Sequence, residues 1–123
     1  MTDTYINPSP QQIAALQAAD IDGPVVMLNL LRFAPDGGEE EYRRYGAAAA
    51  PYLADSGASI RYLGQAAATV IGAAGEAWDE VILVEYPSKD AFFAMTGNPD
   101  YPSDIRAGAL LDSRLYCTID ATP

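Results

Sequence analysis

Two stretches of the chain are dense in apolar residues and do not alternate strictly with polar ones: PVVMLNLLRF at 24–33 and WDEVILVEY at 78–86. Runs of this kind predict strands covered on both faces. Each holds a polar residue where burial is costly unless it is hydrogen-bonded, Asn29 in the first and Glu85 in the second. Around them the pattern changes period. Ser9-Pro10-Gln11-Gln12 has the form of a helix start, with Ser9 as N-cap, Pro10 in the first turn and Gln12 placed for a capping box. Ile13, Leu16 and Ala19 give that helix one apolar side, and residues 1–8 before it read as a loose tail.

After the first strand, Pro35-Asp36-Gly37-Gly38 predicts a turn, and a helix is expected over 39–56 with Glu39, Glu40 and Glu41 at its positive end. Tyr42, Tyr45, Ala49, Tyr52 and Leu53 recur at three and four residues and form one stripe. Pro51 predicts a kink or break within it, and Gly57 suits the left-handed C-terminal position. Residues 58–71 read as a strand with a bulge or bend at Gly64, followed by a hairpin turn of small residues over 72–77. Pro87 ends the second dense strand and Ser88 caps a helix carrying Ala91, Phe92 and Met95. Asn98-Pro99 breaks it, a further helix is expected over 102–110, and a last strand over 113–119.

Leaving the N-terminal helix aside, the order is βαββαβ. This is the ferredoxin-like α+β arrangement, an antiparallel sheet with helices on one face and the first and third strands central. The two most apolar runs are those two strands. Such a sheet has one bare face, yet 25–31 and 81–84 are apolar on both sides, so a second copy of the chain is the expected cover. The extension is read as 1–22 and the domain as 23–120.

At 123 residues the chain has the length of one domain. Its 17 acidic and 7 basic residues give a net charge of −10. That disfavours nucleic acid and anionic membrane as partners, both of which need a basic footprint. The lone cysteine, Cys117, rules out an internal disulfide and fits a reducing compartment. Histidine is missing altogether, which removes Ser-His and Cys-His catalysis, imidazole metal sites and proximal-histidine haem ligation. No cofactor or metal is therefore expected. No basic-then-apolar leader opens the chain and no run reaches spanning length, so a cytoplasmic location is expected.

PVVMLNLLRF, the Tyr42 and Tyr45 pair, WDEVILVEYPS, the Pro99-Asp100-Tyr101 turn and RAGALLDSRL at 106–115 together resemble a domain-of-unknown-function family in the dimeric α+β-barrel superfamily. The resemblance covers about residues 23–120. It implies a homodimer whose sheets pack face to face, with a pocket between sheet and helices. The superfamily includes cofactor-independent monooxygenases, haem-degrading enzymes, lactone isomerases and stress-response proteins. Asn29 and Trp78 stand where some of its oxygenases carry an asparagine and a tryptophan lining the pocket; the iron-holding histidine of the haem-degrading branch has no counterpart.

The candidate residues each have two readings. Asn29 could orient a substrate carbonyl or simply satisfy backbone groups. Glu85 could be a proton-abstracting carboxylate, or an ion-pair partner of Arg61. Tyr42 and Tyr45 could supply pocket hydroxyls or pack inward as core. Trp78 could wall the pocket or lie half-buried beside the hairpin. Arg106 could clamp a carboxylate, or bridge to Asp104, Asp112 or a partner subunit. Asp112 and Ser113 read as structural. Three functions remain open. The first is an isomerase or cofactor-free oxygenase of a small carbonyl compound, with Glu85, Asn29 and Tyr42 catalytic and Trp78, Tyr45, Arg106 and Arg61 binding. The second is a non-catalytic small-molecule-binding or stress-related dimer, and the third a domain whose polar residues serve only folding and dimerisation.

Overall fold

The computed structural model describes residues 3–123. Eight elements follow in order: α1 (Pro10–Ala18), β1 (Val25–Phe33), α2 (Gly38–Ser56), β2 (Ser59–Gln65), β3 (Glu80–Tyr86), α3 (Lys89–Thr96), α4 (Ser103–Ala109) and β4 (Leu110–Thr118). The sheet is antiparallel with strand order β2-β3-β1-β4, so the two densest runs are the central strands of a ferredoxin-like α+β fold. The capping box at Ser9 and Gln12 forms, Ser88 caps α3 by accepting from the Ala91 N–H, and Gly57 takes the left-handed conformation after α2.

The register sorts each strand onto two faces. Val25, Met27 and Leu31 align with Tyr86, Val84 and Glu80 across the β1–β3 ladder. They form the core with Tyr42 of α2, Met95 of α3 and Ala109 of α4; Val25 and Leu31 are 0% exposed. Val26, Leu28, Leu30, Val81 and Leu83 point the other way. They are only half-buried, because no helix of the described residues joins that side of the core.

Several boundaries differ from expectation. α2 runs through Pro51 without a break. Pro51 and Ala47, one turn earlier, both lie on the exposed side, where the carbonyl that proline leaves unbonded meets water. β2 ends at Gln65, and its bulge falls between Ile60 and Tyr62 instead of at Gly64. Gly64 stays in the ladder opposite Val81, and the Tyr62 ring lies across it, where a Cβ would collide. β3 begins at Glu80, leaving Trp78 in the connection, and β4 begins at Leu110, three residues before expectation.

The loose-tail expectation for residues 1–8 falls partly on 1 and 2, outside the described residues. Within them the tail is tied down. The Tyr5 N–H donates to Asp112 Oδ1 (2.8 Å), the Ser113 hydroxyl to the Tyr5 carbonyl (2.7 Å), and Arg106 to the Ile6 carbonyl (2.8 Å). α1 docks through Lys89, whose ammonium donates to the carbonyls of Leu16, Gln17 and Ala19 at the helix's negative end.

Candidate functional site

The stripe on α2 places Tyr42, Tyr45 and Tyr52 against the sheet, where they meet Tyr101 from the turn before α4. The rings pack edge-on or tilted at 5.2 Å (Tyr42–Tyr45), 6.1 Å (Tyr45–Tyr101) and 5.8 Å (Tyr52–Tyr101). The Tyr45 and Tyr101 hydroxyls are hydrogen-bonded to each other. Tyr86 of β3 packs edge-on against Phe92 of α3, and the Arg106 guanidinium of α4 acts electrostatically on Tyr42, Tyr45, Tyr86 and Tyr101. Burial pushes Tyr42, Tyr45, Tyr86 and Tyr101 above the ordinary tyrosine value, and the charge of Arg106 opposes that rise without cancelling it. Neutral at physiological pH, these hydroxyls can donate hydrogen bonds to a carbonyl or anionic oxygen. The space between sheet and helices, where a pocket was expected, is thus occupied largely by aromatic rings.

Asn29 belongs to the same side by strand phase, aligned with Ile82, whose carbonyl accepts from its amide at 3.4 Å. Glu85 does not. It aligns with Val26 on the opposite face, and Arg61 across the bulge holds it at 2.6 Å. The catalytic set Glu85, Asn29 and Tyr42 is therefore split across the sheet, and Glu85 and Arg61 form the ion pair that was the alternative reading. Arg106 is not paired with Asp104 or Asp112 and instead binds the N-terminal segment.

Trp78 lies away from the phenols, at the mouth of the β2–β3 connection. The guanidiniums of Arg32 and Arg114 lie 5.5 Å and 5.1 Å from its ring centre. Arg32 also donates through Nε to the Ala77 carbonyl at 2.8 Å. Trp78 lines an open cleft of about 440 Å³ with Leu30 and Val81 of the bare sheet face and residues of the connection.

Two further carboxylates, Glu80 and Asp112, are buried. Glu80 is 3% exposed and is gripped by both terminal nitrogens of Arg43, with Nη1 to Oε2 at 3.1 Å. Its signal was its phase with Ile82, Val84 and Tyr86, which says that it shares their face but not that α2 supplies a partner. A second cleft, about 730 Å³, opens beside this pair between the start of α2 and the end of β2. Asp112 is also buried. Burial alone would raise its pKa, but the N–H groups of Tyr5 and Ser113 and the Arg114 guanidinium more than offset this and hold it below the usual carboxylate value. Both acids are satisfied structurally. Among the described residues no cluster of three or more acidic or cysteine side chains could hold a metal ion, and no helix is long and apolar enough to cross a membrane.

No family model matches the sequence, and no curated protein matches it. Solved structures do. A Rhodopseudomonas palustris protein of unknown function is 34% identical, with a TM-score of 0.90, over 98% of this chain and 100% of that one. A DABB family protein with a ferredoxin-like fold from Mesorhizobium loti shares 11% identity at a TM-score of 0.58, covering 82% of this chain and 100% of its own. A dimeric ferredoxin-like protein of unknown function from Thermobifida fusca shares 18% at 0.51, covering 78% and 90%.

Proposed function

We propose, on the premise that this chain belongs to the family of the Rhodopseudomonas palustris protein of unknown function, that it works as a homodimer binding a small carbonyl- or carboxylate-bearing compound without transforming it. One observation supports the binding reading: Tyr42, Tyr45 and Tyr101 pack ring to ring, with the Tyr45 and Tyr101 hydroxyls bonded to each other, within reach of the Arg106 charge. Because the rings fill the space, a compound would enter by parting the Tyr45–Tyr101 hydroxyl contact, and the donors so freed suit an oxygen anion or a polarised carbonyl. Asn29, Tyr42, Tyr45, Tyr101 and Arg106 are the residues that would contact it.

The catalytic alternative needs a base beside those donors, and the chain's chemistry supports it less. Glu85 faces away and is paired with Arg61. Glu80, the carboxylate whose charge acts on Tyr42, is taken up by Arg43. Dimerisation is supported by the half-buried apolar face of β1 and β3 and by the dimeric character of the Thermobifida fusca neighbour.

The test is native mass spectrometry of freshly purified protein, followed by titration with a panel of small carboxylates and carbonyl compounds. A bound compound is expected, with affinity falling about tenfold in Tyr101→Phe and further in Arg106→Gln. Binding that both variants leave unchanged would move the site elsewhere. Turnover of any panel compound that disappears in Glu85→Gln or Asn29→Ala would restore the enzyme reading.

A further inference from the structure

The connection between β2 and β3 is long for a hairpin, and its composition is unusual for an exposed loop. Residues 66–77, AAATVIGAAGEA, contain one charged side chain, Glu76, in a chain with 24 charged residues in all, 17 acidic and 7 basic. Val70 and Ile71 near its tip are 92% and 96% exposed. Scattered single apolar residues at a surface need no explanation; two adjacent β-branched residues almost wholly in water within a run holding a single charge do.

The segment is also preformed. Its base is closed by the Ala66 N–H to the Asp79 carbonyl at 2.9 Å, and its middle by the Thr69 hydroxyl to the Glu76 carbonyl at 3.2 Å. The Glu76 N–H to the Ala73 carbonyl, at 3.1 Å, makes the terminal turn. An arm already ordered loses little conformational entropy on docking. It is continuous with the bare sheet face, because Leu30 and Val81 from that face line the same 440 Å³ cleft as Ala66–Gly72.

We propose that residues 66–77 are an arm that clasps a second copy of this chain, Val70 and Ile71 seating on the partner's uncovered sheet face. A second copy is the occupant that these observations favour. Arm and face are both apolar, they adjoin, and a two-fold contact would bury each of them twice. The near-uncharged composition of the arm also suits self-association in a chain of net charge −10, where most of the remaining surface repels its own kind. This inference rests on the homodimer reading and adds to it which segment makes the contact.

Sedimentation velocity of the intact wild-type chain and of Val70→Asp/Ile71→Asp tests it. The wild type is expected to dimerise, and the double variant to dissociate about a hundredfold more readily or beyond detection, with an unchanged circular dichroism spectrum, since both side chains are free of the protomer's core. A second measurement does not depend on an added charge. Val70→Cys in a Cys117→Ser background should be alkylated about tenfold more slowly above the dimer's dissociation constant than below it. A wild type that remains monomeric at high concentration overturns both the homodimer and the arm. A dimeric wild type whose double variant associates equally well, or whose thiol introduced by Val70→Cys reacts at one rate throughout, overturns the arm alone.

Discussion

The two faces of the central strands are nearly equal in hydropathy and unequal in burial. Along β1, Val25, Met27 and Leu31 are sealed under α2, α3 and α4, while their alternates Val26, Leu28 and Leu30 remain half in water. β3 repeats the contrast, with Ile82 and Val84 inside and Val81 and Leu83 outside. The strands carry enough oil for two interiors, and the protomer builds only one. On the reading proposed above, the second is completed by assembly. The two faces should therefore respond to mutation in different experimental variables, one in folding and one in concentration.

The largest expected effect is on the bare side. Leu28→Asp with Leu83→Asp should abolish the proposed dimer, since a two-fold contact loses four apolar side chains and gains four charges, about 6 kcal/mol or more of association energy. Sedimentation velocity would read it, and an unchanged dimer would show that the face has another purpose. The sharpest comparison uses neighbours. Leu31→Ala should cost about 3 kcal/mol in urea unfolding at any protein concentration. Leu30→Ala should cost under about 1 kcal/mol in dilute solution and more as the protein is concentrated. Equal, concentration-independent losses would mean that the faces do not differ as described.

A smaller effect is expected at the sheet's end. Arg43→Ala leaves the Glu80 carboxylate buried without its partner; because Arg43 is itself half-exposed, about 2 kcal/mol is expected rather than the full penalty of a sealed pair. The mildest is a pH effect. Burial raises the phenols of Tyr42, Tyr86 and Tyr101, so their contribution to stability is complete below the ordinary tyrosine value of 10.0. Above it the unfolded chain ionises first, and stability drains away as pH climbs toward the raised folded values. Unfolding curves at rising alkaline pH should show this, and Tyr101→Phe should blunt it. A protein equally stable on both sides of pH 10 would argue that the phenols are not buried together.

Much of this architecture can be read without coordinates. Ser9, Gln12, Ser88 and Gly57 mark helix ends through hydrogen bonds made within a few residues, so local sequence carries them. The central strands declare themselves by apolar density. What fails to show is whatever depends on phase between strands. Asn29 and Glu85 each sit in such a run, and nothing local says that one faces helix and the other open sheet. A one-residue difference in alignment reverses that answer, and bulges at Arg32/Phe33 and Ile60/Tyr62 shift the count. The meeting of Tyr101 with Tyr45 and Tyr52 of α2 was hidden for a related reason, since it joins elements distant in the chain. Arg43 and Glu80 find each other across 37 positions, beyond any spacing rule.

Lys89 is the chain's single lysine, and its ammonium is spent on the carboxyl end of α1. Every other cationic side chain is a guanidinium, so an amine-directed reagent has one side-chain address in the whole molecule. The speed at which that nitrogen is modified would report how often the leading helix lifts away, a built-in gauge of its attachment that needs no introduced label.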